Sequence, residues 1–141
     1  MRWVDRKEAS VGDLIGKTLM SVTQGHGSDG NTITFVTDAG AKYVMYHESD
    51  CCESVDIEDI CGDLVDLVGS PITLAEESSN SEDTPRGLEG VTNYTPDSYT
   101  WTYYKFATIK GYVDIRWYGE SNGYYSERVD FVQDLRGAET E

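Results

Sequence analysis

The chain has few of the residues on which small-protein chemistry most often depends. It has three cysteines, Cys51, Cys52 and Cys61. An odd number, two of them adjacent and so poorly placed to pair, argues against a disulfide-stapled secreted framework and for a reducing compartment. There are two histidines, His26 in a glycine-rich turn and His47 alone, so hydrolysis has no histidine pair to work with. No apolar run approaches the roughly 20 residues of a spanning helix, and the opening MRWVDRKEAS lacks the apolar stretch of a secretory signal. From Tyr43 to Pro85 there is no Lys or Arg, yet there are twelve acids. In a chain of net charge −15, such a block repels nucleic acid and acidic membranes. It reads either as a solvated surface or as a decoy of DNA phosphates. No phosphate loop, nucleophile elbow, dinucleotide fingerprint or kinase motif occurs. These absences describe a soluble cytosolic protein with no motif for catalysis.

At 141 residues the chain is expected to form a single domain, 1–141, with an ordinary core. The pattern predicts an α+β fold, an antiparallel β-sheet core with one main amphipathic helix and a short N-terminal helical turn. The turn is VGDLIG at 11–16. Strands at 18–23, 32–37 and 42–46 form a meander with alternating Ile33/Phe35 and Tyr43/Met45. The helix is assigned to 55–68, where Ile57, Ile60, Cys61, Leu64, Leu67 and Val68 follow a 3–4 spacing and Asp56, Asp59, Asp63 and Asp66 lie opposite. Ser54 would cap it and Gly69 would end it. Gly62 in its interior costs about 1 kcal/mol and so implies close packing. DLIGKTL at 13–19 and DLVGSPI at 66–72 echo each other, one local solution used twice. A strand at 72–75 precedes a long polar loop at 76–98. Strand-rich segments follow at 99–110, 112–118 and 124–132, and the tail at 135–141 should fray.

What is plentiful is aromatic. Seven of the ten tyrosines, with Trp101, Trp117, Phe106 and Phe131, fall between Tyr99 and Phe131. Lys105, Lys110, Arg116 and Arg128 lie in the same stretch. Period two puts Val113, Ile115 and Trp117 on a core face and Tyr112, Asp114, Arg116 and Tyr118 on the other. A tyrosine can stack on a base, and an arginine can grip a phosphate or lie over a ring. The turn Gly119–Gly123 adds hydroxyl and amide groups through Ser121 and Asn122. The plainer reading is a hairpin with cross-strand aromatic pairs, which on period alone is the better supported. His47 with the three cysteines has the ligand types of a zinc site, but adjacent cysteines lack the spacer that aims both thiolates at one ion. No catalytic residue, metal ligand or cofactor is assigned.

Three blocks, MYHESDCCESVDIEDICGDLVDLVGSPI, AEESSNSE and YTWTYYKFATIKGYVDIRWYGESNGYYSERVDF, resemble the phage Thoeris anti-defence family of the sponge type. The resemblance covers about half the chain. It implies a non-catalytic protein in the cytoplasm of an infected bacterial host, which sequesters a cyclic ADP-ribose-type messenger, glycocyclic ADP-ribose, before the host effector responds. It also implies a homodimer or a hexamer built of dimers, with cyclic trinucleotides at separate sites. Carried over by motif, the ligand-binding residues are Tyr112 stacking on the base, Asn122 bonding it, Arg116 at the pyrophosphate, Tyr124, Tyr125 and Ser126 lining the pocket, and Arg136 on a phosphate. Arg128 stands where the family carries a smaller polar residue. Two other functions fit the residues, an acidic DNA mimic that blocks a defence nuclease and a hydrolase of the same messenger.

Overall fold

β-Branched and aromatic residues dominate the alternating segments, and the chain turns almost all of them into strands. In the computed structural model, which describes residues 6–27, 30–49, 52–83, 98–122 and 126–135, nine strands build two antiparallel sheets. They are β1 (Arg6–Glu8), β2 (Leu19–Gly27), β3 (Gly30–Thr37), β4 (Lys42–Tyr46), β5 (Ser54–Cys61), β6 (Leu74–Asp83), β7 (Ser98–Thr108), β8 (Gly111–Ser121) and β9 (Asp130–Asp134). One sheet has the order β1-β9-β4-β3-β2 and the other β5-β8-β7-β6. Between them lies a shared core of Leu14, Ile33, Phe35, Met45, Leu67, Tyr104, Phe106, Ile115, Trp117 and Phe131. Phe35 centres it, 5.4 Å from Phe106 and 5.8 Å from Phe131.

The expected α+β class is therefore wrong, and the helix assigned to 55–68 is absent. Its place is taken by β5, a turn at Gly62, and a 3-10 turn at Leu64–Leu67. The apparent helical spacing has an identifiable origin. A register shift between Ile57 and Asp59 in the β5–β8 ladder inserts an extra residue, so Ile57 and Ile60 face the same side three apart. The 3-10 turn then supplies a second spacing of three, Leu64 to Leu67. Ser54 caps nothing; Asp63 caps the turn, accepting from the Val65 amide at 3.2 Å. Gly62 does mark a close approach. At φ +105°, a Cβ there would sit 2.5 Å from the Tyr112 carbonyl oxygen. The N-terminal turn is present, as a 3-10 turn at Val11–Leu14 capped by Ser10 and Asp13. The loop expected at 76–98 is strand up to Asp83, and 84–97 lies outside the described residues.

The chain is built as two halves. Each runs from a 3-10 turn through a three-stranded meander, β2-β3-β4 in the first and β6-β7-β8 in the second. Each then sends its next strand to the opposite sheet, so that β5 pairs with β8 and β9 with β4. The two echoed segments clasp reciprocally. Ile15 bridges Ile72 and Leu19 bridges Val68, while the Gly16 amide donates to the Ile72 carbonyl (2.8 Å) and the Gly69 amide to the Leu19 carbonyl (3.0 Å). Both glycines are left-handed, at φ +86° and +89°, and Leu14 and Leu67 beside them are both fully buried. The likeness extends beyond the echo. Tyr46-His47-Glu48-Ser49 recurs as Tyr118-Gly119-Glu120-Ser121, and Glu53-Ser54-Val55-Asp56-Ile57 as Glu127-Arg128-Val129-Asp130-Phe131.

Candidate functional site

The outward faces of the four-stranded sheet line up in rows, because the β6–β7, β7–β8 and β5–β8 registers place outward residues side by side. One row holds Cys61, Asp114, Lys105 and Glu76; the next holds Asp59, Arg116, Tyr103 and Ser78; a third holds Asp56, Tyr118, Trp101 and Asn80. A trough of about 570 Å³ crosses all four strands at the first two rows. With strands about 4.8 Å apart it is roughly 14 Å long, enough for one nucleotide-sized molecule. Tyr103 lines the trough, and an aromatic row beside it flanks the opening. Trp101 lies 4.7 Å from Tyr118 and 6.5 Å from Tyr103, the latter pair nearly parallel at 13°, and Tyr99 stands 6.2 Å from Tyr118.

Arg116 lines the trough and reaches the flanking row, its guanidinium carbon 5.6 Å from the Trp101 ring centroid. Its Nε donates to Glu58 Oε1 at 2.7 Å, its Nη2 is 2.5 Å from the same oxygen, and Asp59 is 3.8 Å away. The hydrogen bond to Glu58 holds the guanidinium even more firmly protonated than usual. The bulge in β5 causes this arrangement, since it sets two successive acids beside one arginine. Asp59 acts on Cys61 as well. The thiol donates to its carboxylate at 3.4 Å, and that bond, with the carboxylate charge, pushes the exposed thiol above its ordinary range.

The residues expected to form one pocket are spread along the sheet. As period two implies, Tyr112, Asp114, Arg116 and Tyr118 face out and Val113, Ile115 and Trp117 are buried. Tyr112 is 74% exposed at one end of β8, and Asn122 just follows the other end. Ten residues at about 3.3 Å each separate them by roughly 33 Å, beyond the span of one nucleotide. Ser126 lines the opposite, inner side with Arg128. Tyr124, Tyr125 and Arg136 lie outside the described residues. Of the turn expected at Gly119–Gly123, Gly119–Ser121 belong to β8 and Gly123 lies outside the described residues; the next strand, β9, pairs with β4 in the other sheet.

Of the expected residues, Arg116 alone stands in the trough wall. Tyr103 and Lys105, which also line it, and the flanking Trp101 were not among the expected binding residues, although the signal is present in the sequence. The alternation read along 112–118 also runs along 99–105, where Tyr99, Trp101, Tyr103 and Lys105 are the outward set. The zinc reading finds no support among the described residues, which contain no group of three metal-ligating side chains. His47 is 2% exposed; its Nδ1 lies 2.7 Å from the Arg128 carbonyl oxygen and its Nε2 2.7 Å from Glu53. Cys52 is disulfide-bonded, at odds with the expectation of reduced thiols, whereas Cys61 is unpaired. No helix among the described residues is long and apolar enough to cross a membrane.

No curated protein and no solved structure matches this chain. A family model, the domain of unknown function DUF7448, matches residues 12–131. That match spans both sheets and most of the sequence, and the chain belongs to the DUF7448 family.

Proposed function

We propose that the protein is a non-catalytic binding protein that holds a planar-ring ligand on the outer face of its four-stranded sheet. The observation that carries this is the row Trp101–Tyr118 with Tyr103, and Arg116 over Trp101, along a trough of about 570 Å³. Each ring stacked there is worth about 0.5–1.5 kcal/mol beyond its buried area. Following the resemblance in the sequence, the ligand is a cyclic ADP-ribose-type messenger, sequestered in the cytoplasm of an infected bacterial host. The base stacks on Trp101 or Tyr103, and the pyrophosphate takes Arg116 from Glu58. Tyr112 and Asn122 join such a site only where a second subunit brings them within reach, which gives the expected homodimer or hexamer a definite role.

Arg116 also favours a second reading. Its charge is already met by Glu58 and Asp59, and Glu76 and Asp114 add to the rim. An aromatic trough with a neutralised cation suits an uncharged ring, such as a sugar. Glu58→Gln separates the two. For a phosphate-bearing ligand it strengthens binding about tenfold by releasing the guanidinium; for a neutral ring it leaves affinity unchanged. Ligand recovered after heat denaturation should have its original mass, and recovery of linear ADP-ribose from the cyclic form would mark the protein as a hydrolase.

A further inference from the structure

Four strands stand at the edges of the two sheets, β1 and β2 on the five-stranded one, β5 and β6 on the four-stranded one. An edge strand presents unpaired backbone N–H and C=O groups, and proteins ordinarily blunt it with charge, shortness, a bulge or a cap. Three of these edges follow that rule. β1 is three residues long and each is charged, Arg6, Lys7 and Glu8. β5 carries Asp56, Glu58 and Asp59, a register shift after Ile57, and a cap, since the Ile57 amide donates to Asn31 Oδ1 at 2.9 Å. β6 carries Glu76, Glu77, Glu82 and Asp83 in ten residues.

β2 is the exception. Its nine residues, LMSVTQGHG, include no Asp, Glu, Lys or Arg, in a chain with 26 acids. Its one irregularity, between Leu19 and Ser21, leaves the pairing with β3 regular from Ser21 to Gly27. The Gly69 amide occupies the Leu19 carbonyl, but from Met20 to His26 no described residue outside β3 hydrogen-bonds to the strand. Thr23, Gln24, Gly25 and His26 are all exposed. The two halves of the chain sharpen the contrast. Val22 faces Phe35 as Ala75 faces Phe106, and Gln24 faces Ile33 as Glu77 faces Tyr104. On that alignment Thr23 and Gln24 stand where β6 has Glu76 and Glu77. The fold therefore accepts acids at this point of an edge, and β2 has none.

We propose that the β2 edge is where a second copy of this chain docks, strand to strand and antiparallel, across a two-fold axis near Thr23 and Gln24. Main-chain hydrogen bonds supply the attraction, as in other strand additions. Charge selects the occupant. Two chains of net charge −15 repel one another, and β5 or β6 paired with itself would set carboxylates face to face, whereas β2 sets none. A basic partner would find its complement on β5 or β6 instead. Pairing about a two-fold axis also consumes both free edges at once. It joins two five-stranded sheets into a single continuous one and leaves no β2 edge to template further growth. The trough lies on the other sheet, so this surface stands or falls independently of any ligand there.

The test is sedimentation velocity of the full chain over a range of concentrations. It compares the parent, Thr23→Glu/Gln24→Glu, and Ser79→Glu/Asn80→Glu, which adds the same charge to the β6 edge. The parent is expected to show a reversible monomer–dimer equilibrium. The β2 variant should weaken it at least tenfold and the β6 variant by no more than about threefold. Amide hydrogen exchange of the parent, at low and high concentration, gives a second readout that needs no variant. β2 amides should slow as concentration rises, and β6 amides should not change. A parent that stays monomeric throughout leaves β2 to some other partner and overturns the proposal. Equal weakening by the two variants, or a dimer whose β2 amides exchange at a concentration-independent rate, overturns it as well. Should the β2 variant fail to fold, hydrogen exchange decides alone.

Discussion

The two halves of the chain share a topology and a reciprocal clasp, yet their outer faces differ. On β3 the outward residues Thr32 and Thr34 are small; at the equivalent ladder positions of β7 stand Tyr103 and Lys105, with Trp101 where β3 begins with Gly30. Both versions fold into the same sandwich. Aromatic rungs are thus not a requirement of the architecture, and their confinement to one face is a reason to look for a ligand there. Where both halves agree the residue serves the fold, and where one half departs with a costlier group the departure asks for a use.

Agreement is tested first, by the largest effects. Leu14→Ala and Leu67→Ala, each wholly buried beside its own 3-10 turn, should each lower unfolding free energy by about 3 kcal/mol. Denaturant midpoints that diverge strongly between the two would break the equivalence of the halves. Gly16→Ala and Gly69→Ala come next. Each forces a left-handed residue with a Cβ, at a cost of about 1–2 kcal/mol, and the two losses should match more closely with each other than with any third site. Gly16 has open space around its would-be Cβ, whereas Gly69 would meet Lys110 Nζ at 3.2 Å, the flexible end of a side chain.

Departure is tested by smaller effects. Burial raises the Glu77 carboxyl above its ordinary 4.5, so the folded state holds that proton more tightly than the unfolded one. Its contribution to stability is therefore greatest at low pH and is lost as pH rises from about 4.5 through the folded value. Glu77→Gln should remove that decline and be more stable than the parent near neutrality, while Gln24→Glu in the other half should introduce a similar slope. Thermal melts across pH 4 to 8 read both. Smallest is the reactivity of Cys61. Though exposed, it should alkylate slowly at pH 8, because Asp59 disfavours the thiolate, and Asp59→Asn should speed it severalfold.

How far the sequence could be read follows from the same halves. The meander β2-β3-β4 was legible because Ile33, Phe35, Tyr43 and Met45 alternate without interruption, and the buried face of β8 was legible for the same reason. β5 was not, because a bulge after Ile57 turned an alternating strand into a helix-like 3–4 pattern. β6 was not, because an edge strand of sequence LAEESSNSED has no alternation to show. The echo DLIGKTL/DLVGSPI was visible, but its meaning depended on Ile15 meeting Ile72 and Leu19 meeting Val68, which only pairing reveals. For the site, Arg116 was found by its chemistry. Its partner Glu58 lay hidden inside the misread helix, and Tyr112 and Asn122 were grouped by the family motif, which carries no distance, whereas β8 sets them at its two ends.

The central claim is that the aromatic face of the four-stranded sheet, and not its threonine-lined counterpart, holds the ligand. The direct measurement is retention of a panel of cyclic nucleotides and ADP-ribose isomers through gel filtration, read by mass spectrometry for the parent, a Trp101→Ala/Tyr103→Ala double variant and a Thr32→Ala/Thr34→Ala double variant. The account predicts that the parent and the threonine variant retain the same compound at unchanged mass, while the aromatic variant stays folded and retains at least tenfold less. Equal retention by a folded Trp101→Ala/Tyr103→Ala protein would contradict it.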